Sequence, residues 1–232
     1  MRSRAAPRVP RLRWGPLLRK LESFYGPGTW RVPVRRERGA DPFGVLVSTI
    51  LSHRTRDEVT DRATRKLLKA YPTAAELAEA SLGDISALIT EVGLTRSKAS
   101  GLLLAAKEIV MRHGGRVPDS EPELLNLPLV GRKTARAVLV FGFRQAAIPV
   151  DSHIQRVANR LGVVRTSKLG ETADALKEVV PRKYWAELNP VLVQHGMNLC
   201  SPRSPRCREC PIERRCEKIG VAPEPPRRRR VD

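Results

Sequence analysis

The sequence predicts an all-helical protein, and three observations carry that expectation. Ala, Leu and Val are abundant while aromatic residues make up only 4% of the 232-residue chain, a composition that favours helix over sheet. No regular run of alternating apolar and polar residues, the mark of a half-buried strand, is found. Ser or Thr followed three residues later by an acid recurs at positions 73, 81 and 120, the pattern in which a side chain caps a helix N-terminus. There is no internal repeat. No stretch approaches the roughly 20 apolar residues that a membrane span requires, so a soluble chain with no membrane partner is expected.

The elements follow in order. "MRSRAAPRVPRLR" (1–13) and the tail over 219–232, ending "PEPPRRRRVD", are Pro- and Arg-rich and read as basic arms. The first lacks acids as a transit peptide does, but Pro7 and Pro10 spoil an amphipathic helix and no signal-peptide core follows, so a cytoplasmic location is expected. Residues 42–52 and 57–70 read as helices. Thr73 with Glu76 opens a third, Ser81 with Asp84 a fourth. "GLTRSKASGLLLAAKEIVMRHGG" is one long helix closed by Gly114 and Gly115, and Ser120 with Glu123 starts a short one running to about Leu127. Pro128 stops it, Gly131 is expected to take an unusual backbone angle, and "RKTARAVLVFGF" resumes a helix with Lys133 in its first turn. Asp151 caps a further helix that ends at Gly162, and residues 171–180 and 184–199 complete the set.

Charge narrows the function. Lys and Arg number 43 against 24 acids, a formal charge of 43 − 24 = +19, which points to a polyanionic partner and to nucleic acid ahead of an acidic membrane surface. A hairpin that ends in Gly131 and enters a helix leaves backbone N–H groups pointing outward, a site suited to a phosphate. Such a contact positions a duplex without reading its sequence.

Within that site a lysine in the first turn of a helix, beside Arg132, has its protonated form disfavoured by the helix dipole and the neighbouring charge, so Lys133 is a candidate nucleophile. Asp151 is a good N-cap; facing the same cleft, it would also stabilise positive charge or move a proton. His153 taken alone reads as a packed or surface residue.

All four cysteines lie within 17 residues with the spacing C-x6-C-x2-C-x5-C, at 200, 207, 210 and 216. In a cytosolic chain this reads as four thiolate ligands for a metal. Zinc and an iron–sulfur cluster both accept four thiolates. With one Cys-x-x-Cys knuckle where structural zinc sites usually pair two, the spacing leans modestly towards iron and sulfur.

"LPLVGRKTA" (127–135), "VDSHI" (150–154), "GLTRSKA" (93–99), "ILSHRTRD" (50–57) and the cysteine spacing together resemble the endonuclease III family of base-excision DNA glycosylases, in the helix-hairpin-helix superfamily, across about residues 35–218. The resemblance implies a two-lobed helical fold: a six-helix lobe over 35–145, and a second lobe joining 14–34 to 146–218, with DNA across the cleft. It implies a [4Fe–4S] cluster on Cys200, Cys207, Cys210 and Cys216. It implies Lys133 as nucleophile and Asp151 as its catalytic carboxylate. For DNA it implies the hairpin Leu129, Val130, Gly131 and Arg132, with Arg203 and Arg206 reaching phosphates. His53, Arg54 and Thr55 belong to a turn whose side chains fill the gap left by a flipped nucleotide. Many relatives carry Gln at or beside the position of His53 and Arg54, and Leu129 stands where the family usually has Gly.

The function so implied is removal of oxidised pyrimidines from duplex DNA, with β-elimination at the abasic site through a lysine Schiff base, by a monomer acting on damaged or abasic double-stranded DNA. An altered range (mismatched thymine or uracil, or mainly abasic-site cleavage) is the alternative. A non-enzymatic DNA-binding protein is disfavoured by the presence of both Lys133 and Asp151.

Overall fold

The computed structural model describes residues 12–26 and 40–222. Most of the basic arm over 1–13, residues 27–39, and the arginine-rich end of the tail lie outside the described residues. All regular structure among the described residues is helical. The elements are α1 (Trp14–Tyr25), α2 (Pro42–Leu51), α3 (Asp57–Ala70), α4 (Ala74–Ala78), α5 (Leu82–Leu88), α6 (Thr95–His113), α7 (Glu121–Leu125), α8 (Arg132–Ala137), α9 (Ser152–Leu161), α10 (Leu169–Val179) and α11 (Trp185–Asn198).

Local chemistry sets the boundaries. Thr73 and Glu76 form a reciprocal capping box on α4, Ser81 Oγ accepts from the Asp84 N–H and Ser120 Oγ from the Glu123 N–H. α6 closes on Gly114 and Gly115, both at positive φ. One element departs from the expected α-helix: after α8 the chain widens into a π-helical turn over Val138–Gly142, the Phe143 N–H bonding back to the Val138 carbonyl. A Cβ on Gly142 would sit 2.9 Å from Cα of Pro42, so the start of α2 lies directly against the end of that turn.

Apolar side chains bury in two clusters. One gathers Phe43 to Ala147, from α2 through the π turn. The other gathers α1 with Ile148 to Ile212. Leu17, Leu18 and Leu21 of α1 are fully buried in the second, each worth about 1.5–3 kcal/mol by burial. That outweighs the entropy of bringing the first helix to the last part of the chain, a closure whose cost grows only with the logarithm of loop length. Polar bonds fix the register: Trp14 Nε1 donates to the Val179 carbonyl and the Tyr25 hydroxyl to Nδ1 of His195. Burial pulls the His195 imidazole down to about 4, so it is neutral and able to accept.

Candidate active site

The two clusters meet at residues 147–148, and a cavity of about 570 Å³ opens between them. Lys133 and Asp151 face it, with Thr49, Arg54, Thr55, Ala137, Phe141 and Pro149 from one side and Asn189, Val193 and Met197 of α11 from the other. Lys133 Nζ lies 3.4 Å from Asp151 Oδ2; the lysine side chain is 45% exposed and the carboxylate 14%. The other carboxylate oxygen, Oδ1, accepts from the N–H groups of His153 and Ile154 and caps α9. Cap and candidate catalytic carboxylate are therefore one residue using two oxygens.

The hairpin corrects the expectation for Gly131. Its φ of −94° is ordinary extended backbone, and the left-handed residue is Leu129, φ 62°. That conformation costs about 1–2 kcal/mol in a residue with a Cβ. It is held because the Leu129 side chain packs over Gly101 of α6, in space that a Cβ at 101 would invade to 2.1 Å from Leu129 Cδ1. The Val130 N–H is taken by the Leu127 carbonyl. No Cβ contact would arise at Gly131 within 4 Å, so its face of the hairpin is open to an approaching group.

Across the cleft, the turn after α2 is pinned by a residue to which the sequence reading gave no role. Lys98 is 3% exposed, and its ammonium donates to the Leu51 and His53 carbonyls and to Thr55 Oγ1. Burial pushes its pKa down to about 8. The signal was present in the sequence, since Lys98 falls on the same helical stripe as Leu102, Ala105 and Ile109. In that turn Arg54 is exposed, at φ 54°. His53 Nε2 is 3.2 Å from Thr134 Oγ1, tying the turn to the residue after Lys133.

The cysteines follow α11 and gather against α9. None of the four is in a disulfide, all are half-buried, and all line one cavity. Arg160 donates to Cys200 Sγ and to the Ser201 and Pro202 carbonyls, while Arg156 donates to the Cys200 and Gly196 carbonyls. The Lys218 N–H points at Cys216 Sγ. Burial raises the Cys210 thiol to about 11 and raises Cys216 too, so positive charge is needed to hold thiolates there. Among the described residues, no group of three or more His, Cys, Asp or Glu is placed to hold a metal ion. Arg203 and Arg206 are both exposed, and Arg206 donates to the Glu209 carboxylate and the Asn198 carbonyl. No described helix is long and apolar enough to cross a membrane.

The sequence matches the HhH-GPD superfamily of base excision DNA repair proteins over residues 47–182. Endonuclease III of Thermotoga maritima is 46% identical over 183 residues, 79% of this chain and 86% of the relative. That of Escherichia coli K12 is 34% identical over 77% of this chain and 84% of its own. In three dimensions the chain resembles a trapped covalent intermediate of endonuclease III with DNA, with a TM-score of 0.76 and 28% identity over 87% of this chain and 92% of that one. The chain thus belongs to the HhH-GPD superfamily of base excision DNA repair proteins and, within it, to the endonuclease III family. It is a DNA glycosylase and abasic-site lyase.

The seat of Leu129 generates a reciprocal test. Gly101→Ala should displace the hairpin and destabilise the protein by about 1–3 kcal/mol, read by thermal unfolding, and should weaken binding to abasic-site duplex. Adding Leu129→Ala should recover most of both losses; strictly additive losses would show that the two residues are not coupled.

Proposed function

We propose that the protein excises oxidised pyrimidines from duplex DNA and then cuts the strand, with Lys133 as nucleophile and Asp151 as its catalytic carboxylate. The observation that carries this reading is the 3.4 Å approach of the Lys133 amine to Asp151 Oδ2 at the mouth of the cavity. Chemistry at the sugar requires the nucleotide to leave the stack. Arg54, exposed on the turn that Lys98 pins, fills the vacated space with support from His53 and Thr55. The hairpin Leu129–Arg132 positions the backbone through the N–H groups of Gly131 and Arg132, with the Arg132 and Arg203 side chains adding positive charge. Arg206, also exposed, adds charge on the same loop as Arg203, where its bonds to Glu209 and the Asn198 carbonyl orient it.

The amine must be neutral to attack, and Asp151 Oδ2 is positioned to take its proton. A bond forms from Nζ to the anomeric carbon as the base leaves with the glycosidic electron pair. The bond from the anomeric carbon to the ring oxygen then breaks, that oxygen takes a proton as a hydroxyl, and the nitrogen lone pair closes a protonated imine. A proton then leaves the adjacent sugar carbon and the 3′ carbon–oxygen bond breaks. Once the proton taken from Lys133 has passed to the departing base, Asp151 is again a carboxylate and stabilises the positive charge on sugar and nitrogen. Its capping oxygen stays bonded to α9, so the reacting oxygen is held in place.

Cys200, Cys207, Cys210 and Cys216 fit a [4Fe–4S] cluster: four thiols round a cavity suit a body of several atoms better than a single ion, with N–H donors aimed at two of the sulfurs. When bound, the cluster supplies the positive charge that holds four thiolates and fixes the loop carrying Arg203. A reducing cytoplasm, next to the DNA, keeps such thiols available. The likeness to a thermostable thymine-DNA glycosylase, with a TM-score of 0.78 and 25% identity over 88% of this chain and 95% of that one, makes mismatched thymine the second substrate to include in a lesion panel.

Two outcomes follow. Abasic-site duplex mixed with the protein and borohydride should give a permanent crosslink, and Lys133→Gln should abolish it while retaining binding to undamaged duplex; a Lys133→Gln protein that still crosslinks would assign the attack to another amine. Protein purified without air should contain iron and sulfide in about equal amounts, and Cys207→Ser should lose iron and lower the unfolding temperature. Zinc in their place would contradict the cluster.

A further inference from the structure

Away from the cleft, a chain of side chains from three separate segments ends on a cysteine sulfur. Tyr25, the last residue of α1, is 8% exposed, and His195 of α11 is 3% exposed. The Tyr25 oxygen lies 2.8 Å from His195 Nδ1, and His195 Nε2 lies 3.6 Å from Cys210 Sγ. Packing fixes both residues. Leu17, Leu18 and Leu21 bury α1 in the apolar core it shares with α11, and the His195 carbonyl accepts from the N–H groups of Leu199 and Cys200 where α11 ends. The chemistry assigned to Lys133 and Asp151 uses neither Tyr25 nor His195.

The direction of the two hydrogen bonds follows from the sulfur. Of the two nitrogens of a neutral imidazole, one donates and the other accepts. A thiolate bound to iron has no proton to give, so the contact at Cys210 is a hydrogen bond only where Nε2 carries the proton. Nδ1 is then the acceptor and the Tyr25 hydroxyl its donor. Without that hydroxyl the tautomer loses its partner, and the other tautomer turns the Nε2 lone pair towards the sulfur. We propose that Tyr25 and His195 form a relay that keeps an N–H donor on the Cys210 thiolate and so makes the bound cluster easier to reduce. This rests on the [4Fe–4S] reading above and deepens it. A donor to a thiolate draws electron density from the sulfur and stabilises the more negative, reduced cluster. Arg160 serves Cys200 in this way and the Lys218 N–H serves Cys216; at Cys210 the Ile212 N–H is joined by the His195 side chain. Tyr25 is a positioning residue, acting on the sulfur through the imidazole.

The test is the one-electron reduction potential of the cluster, measured by voltammetry of the holoprotein on an electrode that supplies the electron, for the wild type, Tyr25→Phe and His195→Phe. Tyr25→Phe removes one oxygen and keeps the ring. At the wild-type midpoint the ratio of reduced to oxidised cluster should fall about tenfold in His195→Phe, a lowering of about 59 mV. It should fall by about threefold or more in Tyr25→Phe. In wild-type protein with isotopically labelled histidine-ring nitrogens, pulsed EPR of the reduced cluster should show a ring-nitrogen coupling. A Tyr25→Phe potential equal to that of the wild type overturns the relay, as does a rise in either variant or a labelled wild type without the coupling. If neither variant holds a cluster, the labelled wild type decides. Iron and sulfide measured on the same samples separate the two readings: a wild type lacking them overturns the cluster and the relay together, while a loaded wild type with an unmoved Tyr25→Phe potential overturns the relay alone.

Discussion

The division of labour between the two oxygens of Asp151 is the constraint on which the site depends. Oδ1 is bonded to two backbone N–H groups at the start of α9, so the carboxylate cannot rotate away, and Oδ2 is thereby directed at Lys133. An N-cap is worth about 1 kcal/mol to a helix, a modest sum. Its larger consequence is geometric, because a capped carboxylate is pre-set before DNA arrives and needs no reorganisation during the reaction.

From that cap the same helix reaches the cysteine loop. Arg156 and Arg160 follow Asp151 along α9 and hold the carbonyls of Gly196, Cys200, Ser201 and Pro202. The α9 segment therefore links Asp151 to the cysteine loop through hydrogen-bonded structure. On the facing side α6 does comparable work: Lys98 pins the turn bearing Arg54, and Gly101, one turn on, seats Leu129 of the hairpin. Burying an ammonium costs several kcal/mol, and three oxygen acceptors are what make Lys98 tolerable. Two helices thus set the spacing of the turn, the hairpin, Asp151 and the cysteine loop.

Much of this was legible in the sequence where the physics is local. The caps at Thr73, Ser81, Ser120 and Asp151 are contacts within three residues, and each forms as read. Lys133 lies in the first turn of its helix as read, although Gly131 gives that helix no side-chain cap. What the sequence hid is set by distant neighbours. Positive φ was expected at Gly131 because glycine tolerates it most readily, but the seat at Gly101, some 30 residues earlier in the chain, places it on Leu129. The approach of Gly142 to Pro42 and the bond from Asn189 to the Pro149 carbonyl likewise join residues far apart in sequence. Lys98 was half legible, a charge on an apolar stripe whose three acceptors only the fold reveals.

The most direct measurement is single-turnover base release by Asp151→Asn beside its thermal unfolding. Asparagine caps a helix about as well as aspartate but carries no charge and takes no proton. The account requires release to slow by about a hundredfold or more with an unfolding midpoint close to the wild type. Release at the wild-type rate in a stable Asp151→Asn protein would contradict it, and would leave Asp151 a cap and nothing else.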